Sequence, residues 1–240
     1  AATMFVNNDY GQALSESFVG AFENNDGTVQ NQVSFEKEQP SYTSRLETAL
    51  GDDPDLLVVI GYPASGVQIF RDYYADFSSD RDIMVTDGLK EASLPGDVGN
   101  DMANVLGTAP LASGPQNDAF TQMYQDEYDR EPGVFNAQAY DAAATMILAN
   151  VEGGENSGTA VRDNMRTVAN PEGETVGPEN LPEAVEMVSN GTEVNYAGAS
   201  SSVDFNENGD MAAVSYEIWT FAPDTDSGFE QVTTIEFGSQ

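Results

Sequence analysis

Leu56-Leu57-Val58-Val59-Ile60 is an unbroken apolar run that stops at Gly61-Tyr62. A strand with one wet face alternates apolar and polar residues. A short continuous run instead reads as a strand buried on both faces, as in a parallel sheet covered by helices. Reading outward from it, Met4 to Asn7 predicts a first strand, and Leu14, Phe18 and Phe22 recur at helical spacing. Val29, Val33 and Phe35 predict a second strand after the turn Asn25-Asp26-Gly27. Tyr42, Leu46, Ala49 and Leu50 predict a helix, with Ser41 placed to cap it after Pro40. Beyond the run, Val67, Phe70, Tyr74 and Phe77 predict a third helix, and Ile83-Met84-Val85 a further strand. Strand and helix alternating at this rhythm predict an α/β fold with a parallel, doubly wound sheet.

The middle of the chain changes character. Phe120, Met123, Tyr124 and Tyr128 stripe one helix, and Tyr140, Ala144, Ile147, Leu148 and Val151 a longer one. Val161, Met165 and Val168 predict a third, and Leu181, Val185 and Val188 a fourth. Hardly a strand is legible between them, although their apolar faces need a sheet. The Pro/Gly-rich stretch from Pro171 to Pro182 reads as a loop. The end is β again: Val214, Tyr216 and Ile218 alternate, and a last strand lies near Thr233 to Phe237.

Composition excludes several chemistries. The 240 residues carry 41 Asp plus Glu against 8 Lys plus Arg, a net charge of -33, with no cysteine and no histidine. A disulfide framework, a thiolate nucleophile and a His-centred triad are therefore excluded within the chain, and no metal or other cofactor is expected. Nucleic acid, whose binding needs clustered Lys and Arg, is excluded by the field. Aromatics at 10% argue for a folded chain despite the acidity. Such a surface repels itself unless counterions screen it, and the Debye length falls to roughly 3 Å at 1 M salt; a halophilic source is expected. No apolar run reaches the roughly 18 residues of a membrane span. The opening at Ala1, directly into a strand, is what a chain looks like once its beginning has been removed.

In an open parallel sheet, ligands gather beyond the carboxyl ends of the strands. Tyr10-Gly11 follows the first strand, Gly61-Tyr62 the buried run, and Asp87-Gly88 the strand at Ile83 to Val85. If the sheet is parallel, all three project from one edge. Two phenol rings and one carboxylate suit a cationic group such as an ammonium, through cation–π attraction and charge-assisted hydrogen bonds. Tyr, Asp and Gly also form turns at strand ends, so position alone leaves both readings open. A lone carboxylate without a neighbouring His, Lys or second acid is poor equipment for acid–base catalysis, and no nucleophile elbow or phosphate loop occurs. The chain is not read as an enzyme. Asp204 to Asp210 matches the start of a calcium loop, but Ser215 stands at the twelfth position and the flanks read as strands; a tight hairpin turn is expected.

Asn8-Asp9-Tyr10-Gly11-Gln12, Val59-Ile60-Gly61-Tyr62, Thr86-Asp87-Gly88, Ala137-Gln138-Ala139-Tyr140-Asp141-Ala142 and Asn195-Tyr196-Ala197-Gly198-Ala199-Ser200 occur in an order and spacing that is familiar. Together with Val203 to Asp210, they resemble the branched-chain amino acid (leucine/isoleucine/valine) binding proteins of ABC transporters. The resemblance implies a type I periplasmic binding protein fold with the ligand held between two lobes. It implies that residues 1–112 and 203–240 form the second lobe. Residues 113–202 would supply the helical part of the first lobe, whose strands would precede this chain. Carried over by position, Asp87 resembles the acid that accepts the ligand's α-ammonium, though the family often has Glu there. Tyr10 and Tyr62 resemble the tyrosines facing the ligand, and Phe135 the aromatic packing on its side chain. The implied partners are a small ligand, an amino acid, and the membrane permease of an ABC transporter. The implied location is extracellular or at the cell surface, anchored through an N-terminal segment. A ligand-sensing domain of a receptor or regulator is the alternative, since the fold serves both.

Overall fold

β1 (Ala2–Val6) leads into α1 (Asp9–Asn24), and the same alternation continues through β2 (Asn31–Phe35), α2 (Thr43–Leu50), β3 (Leu56–Ile60), α3 (Pro63–Asp76), β4 (Asp82–Val85), α4 (Leu94–Val98) and β5 (Val105–Leu111). A helical stretch follows: α5 (Asn117–Tyr128), α6 (Asn136–Glu152) and α7 (Gly158–Ala169), then β6 (Glu174–Val176), α8 (Leu181–Ser189) and β7 (Val194–Tyr196). β8 (Ala213–Phe221) and β9 (Phe229–Gly238) close the chain. This is a computed structural model, and it describes residues 1–77, 80–170 and 172–238.

The chain divides into two compact units, Ala1–Ala109 with Glu217–Thr234 and Pro110–Tyr216 with Ile235–Gln240. The first is built on a sheet of strand order β2-β1-β3-β4-β5-β8-β9. β2, β1, β3, β4 and β5 are parallel throughout. The expected burial on both faces holds: Leu57, Val58, Val59 and Ile60 are all almost fully inaccessible. In β1, Thr3 faces α1, where its hydroxyl meets Ser15 Oγ at 2.8 Å. Its neighbours Ala2 and Met4, on the opposite face, are as deeply buried. Leu46, Phe70, Tyr73, Val85 and Trp219 belong to the same core.

Several local expectations shift. α2 starts at Thr43 with Tyr42 in the capping position and no side-chain cap. Ser41 Oγ accepts the Thr43 N–H at 3.2 Å and donates to Asp72 at 2.9 Å, so it ties α2 to α3 instead. β5 and α4 escape a periodicity reading because Gly107, Pro110, Pro95 and Gly96 break their patterns. Gly107 has a reason to be there. A Cβ at that position would lie 2.1 Å from the ring of Trp219, so the strand leaves room for the chain's single tryptophan.

In the second unit, Ala144, Leu148, Val168, Val176, Ala184, Val188 and Tyr196 form one core. It does contain a small sheet. β6 and β7 pair in parallel, Glu174↔Val194 to Val176↔Tyr196. The stretch read as a loop therefore holds β6 and the start of α8; Pro171 lies outside the described residues. Strands of three residues are too short for alternation to register. The Asp204–Asp210 segment is a turn, with a Phe205↔Met211 antiparallel bridge and Asn206 Oδ1 accepting the Asn208 and Asp210 amides.

Candidate functional site

Strand register decides which side chains share an edge. Val6 pairs with Phe35, Phe5 with Ile60, and Val59 with Val85, so the carboxyl ends of β2, β1, β3 and β4 lie level. The order β2-β1-β3 reverses direction at β1, the topological switch point where doubly wound sheets open a crevice. Tyr10 rises from the first turn of α1, whose start is fixed by Asn8 Oδ1 accepting the Gly11 amide at 2.9 Å. Tyr62 is the residue before α3, and Pro63 opens that helix. Asp87 begins a 3₁₀ turn directly after β4.

These three residues come together. The rings of Tyr10 and Tyr62 stack with centroids 5.4 Å apart and planes inclined by 24°. The Tyr10 hydroxyl sits 2.9 Å from Thr86 Oγ1 and donates to Asp87 Oδ1 at 3.3 Å. Asn8 Nδ2 reaches the Tyr62 hydroxyl at 3.5 Å. Gly88 closes the floor, since a Cβ there would meet the Gly61 carbonyl oxygen at 2.4 Å and the Tyr10 hydroxyl at 2.9 Å.

Burial sets the electrostatics. Asp87 is half-buried, and loss of water raises its carboxyl above the ordinary range, with the Tyr10 hydrogen bond pulling the other way. The Tyr10 hydroxyl is pushed up to about 12, first by burial and then by the Asp87 charge. It therefore stays protonated and remains a donor. An under-solvated carboxylate beside two phenol rings presents negative charge and aromatic faces to a compact cation.

Phe135 lies in the second unit, 43% exposed, at the residue before α6. Its φ of 68° is left-handed, an uncommon state for a bulky residue that costs about 1–2 kcal/mol. Backbone strain of this kind concentrates at functional positions. A cavity of about 290 Å³ also opens in the second unit, lined by Leu111, Thr145, Met146, Met165, Phe205 and Met211 among others. Its one carboxylate, Asp141, is 3% exposed and already accepts four hydrogen bonds from the protein. That leaves it little capacity for a ligand. Among the described residues no group of three or more carboxylates is arranged to hold a metal ion. No helix among them is long and apolar enough to cross a membrane.

Two neighbours of the site escape a motif reading. Thr86, which meets the Tyr10 hydroxyl, stands inside a quoted motif but carries no charge to draw attention. Lys37, whose Nζ lies 5.0 Å from the Tyr62 ring centroid, could have been found: it is one of two lysines and follows β2 by two residues.

A family model described as periplasmic binding protein matches residues 1–180. The chemotactic signal transduction system substrate-binding protein BasB of Halobacterium salinarum is 24% identical over 204 residues, which are 85% of this chain and 47% of that protein. The chain thus spans about half the length of this curated relative. Among solved structures, a leucine binding protein, LivK, from Thermotoga maritima aligns with a TM-score of 0.72 at 22% identity, over 98% of this chain and 61% of that one. LivJ of Streptococcus pneumoniae, a branched-chain amino acid transporter substrate binding protein solved with isoleucine, aligns with a TM-score of 0.64 at 17% identity, over 98% and 59%. The α/β architecture is that of type I periplasmic binding proteins.

Proposed function

The chain belongs to the periplasmic binding protein family, and from that premise we propose that it captures a small α-amino acid, branched-chain or other, outside the cytoplasmic membrane. The captured ligand is passed to the permease of an ABC transporter. The observation carrying this reading is the half-buried Asp87 carboxylate, held by Tyr10 next to the stacked Tyr10–Tyr62 pair at the switch point of the sheet. Asp87 receives the α-ammonium, and the two phenol rings wall it in. Phe135 packs on the ligand side chain, a role that rests on the family resemblance. On this reading residues 1–112 and 203–240 correspond to the second lobe of the family, and residues 113–202 to the helical part of the first. We read it as a binding site: the hydroxyl bonded to Asp87, that of Tyr10, is held protonated by burial and serves as a fixed donor.

Replacing Asp87 with Ala in the full-length protein is expected to weaken amino acid binding by about 1.5–3 kcal/mol, the range for a hydrogen bond to a charged group. Titration calorimetry showing an unchanged affinity would remove the ammonium from Asp87 and the reading with it. The charge of -33 fits a protein working in concentrated salt, and the Halobacterium salinarum relative supports that habitat.

A second reading is favoured by that same relative, which is described as part of a chemotactic system. On this reading the loaded protein addresses a signal transducer in place of a permease. Ligand-dependent association with a purified transducer, and none with a permease, would select it.

A further inference from the structure

Cations are scarce in this chain, and nearly all of them are already engaged with the protein's own groups. Lys90, the only other lysine, is part-buried in an ion pair with Glu217, over the rings of Trp219 and Phe229. Arg81 pairs with Asp53 and Arg162 with Asp163. Arg71 and Arg166 donate to backbone carbonyls, and Arg130 lies over Tyr124. Among the described residues neither Arg45 nor Lys37 has a carboxylate within 4 Å of its charged nitrogens, and Lys37 is set apart by its place: its Nζ lies over the ring of Tyr62, at the candidate site.

Its placement is built. The Glu36 carbonyl accepts from the Tyr42 hydroxyl at 2.9 Å, and the Lys37 carbonyl from Gln39 Nε2 at 3.0 Å. The Glu38 amide donates to Ser65 Oγ at 3.1 Å, and Ser65 is itself buried on α3, the helix that Tyr62 precedes. Glu38 takes a left-handed φ of 52°, a strained state for a residue with a side chain. Two acids flank Lys37 in the chain, Glu36 and Glu38; Glu36 is turned to Asn7, bonded at 2.6 Å, and neither forms an ion pair with Lys37. The candidate site therefore has two charges of opposite sign on its tyrosine pair: the Asp87 carboxylate bonded to Tyr10, and the Lys37 ammonium over the ring of Tyr62.

Building on the amino acid reading above, we infer that Lys37 is a specificity residue that receives an anionic group on the ligand's side chain, and that the preferred ligand is an acidic α-amino acid. In the concentrated salt that a charge of -33 calls for, long-range fields are screened, so an anionic group is held only by a cation close beside it. An apolar side chain draws nothing from an ammonium there.

The test uses the full-length protein, at the salt concentration that keeps it folded, with glutamate, glutamine and leucine as probes in titration calorimetry. Glutamate should bind at least about ten-fold more tightly than isosteric glutamine, the scale of one charge-assisted contact. Lys37→Met, which keeps the apolar stem, should remove that preference and leave glutamine and leucine unchanged. Lys37→Arg should restore it. Leucine or glutamine binding as tightly as glutamate, with Asp87→Ala weakening all three, overturns the inference while the amino acid reading stands. Lys37→Met weakening all three probes equally also overturns it, because Lys37 would then hold the α-carboxylate. If no amino acid binds the unsubstituted protein, both fall together.

Discussion

Asp141 permits a stability prediction that can be worked through bond by bond. The carboxylate is 3% exposed. Its Oδ1 accepts from the Tyr196 hydroxyl at 2.8 Å and the Ala199 amide at 3.0 Å. Its Oδ2 accepts from the Ser200 amide at 2.7 Å and the Ser200 hydroxyl at 2.6 Å. The segment held this way in turn accepts from Ser113, Gly114 and Gln116, through the carbonyls of Ser200, Ala199 and Gly198. Asp141 thus fastens the chain after β7 to α6, and that chain in turn pairs with the one that enters α5. In Asp141→Ala the hydroxyls can turn elsewhere, but the two amides point where the backbone puts them. Each stranded buried donor costs about 1–3 kcal/mol. With water entering the void to repay part of that, the expected loss is about 2–5 kcal/mol. Asp141→Asn keeps the shape and one acceptor, but presents an NH₂ to one of the two amides; about 2 kcal/mol is expected. Urea unfolding followed by circular dichroism measures the loss. Amide hydrogen exchange at Ala199 and Ser200 localises it, and both amides should exchange faster in each variant. An Asn variant that unfolds at the parent's urea midpoint, with the two amides exchanging at the parent's rate, would refute the clasp.

Two other outcomes are expected at the candidate site. Gly88→Ala places a Cβ 2.4 Å from the Gly61 oxygen and 2.9 Å from the Tyr10 hydroxyl, so the first unit should lose about 1–3 kcal/mol and Tyr10 should be driven off Asp87. Emission of Trp219, fully buried in that unit, reports the urea midpoint, and an unchanged midpoint with unchanged amino acid affinity contradicts the packing described. The pH dependence follows from the sign of the Asp87 shift: burial raises its carboxyl, and only the ionised form attracts an ammonium. Affinity should hold above that raised value and fall as pH drops through it, beginning at a higher pH than an ordinary carboxylate allows; Asp87→Asn should bind weakly with a flat profile. Because the Tyr10 hydroxyl is held up at about 12, no alkaline decline from that residue is expected at mildly basic pH. A parent profile as flat as that of the Asn variant would detach the ligand from this acid.

Fold and site were unequally legible. Leu56 to Ile60 announced a doubly buried strand because burial on both faces leaves no polar position in the pattern. The rhythm from Met4 to Val85 announced the parallel sheet, and with it the edge shared by Tyr10, Tyr62 and Asp87. That much is local: once strands run parallel and in level register, the residues just past their ends become neighbours whatever the rest of the chain does. Other features depend on partners far away along the chain. Gly107 breaks a strand pattern for the sake of a tryptophan at position 219. β6 and β7 are too short to show a period and exist because they pair across α8. Asp141 belonged to a recognisable motif, but its partners lie 55 to 59 residues downstream. Lys37 read as one cation in an acidic chain until the Glu36–Gln39 turn was seen stitched to Tyr42 and Ser65. Periodicity records which face of an element meets the core. It holds no information about which distant residue stands opposite, because that is decided by packing, where volume, hydrogen-bond geometry and charge are satisfied together.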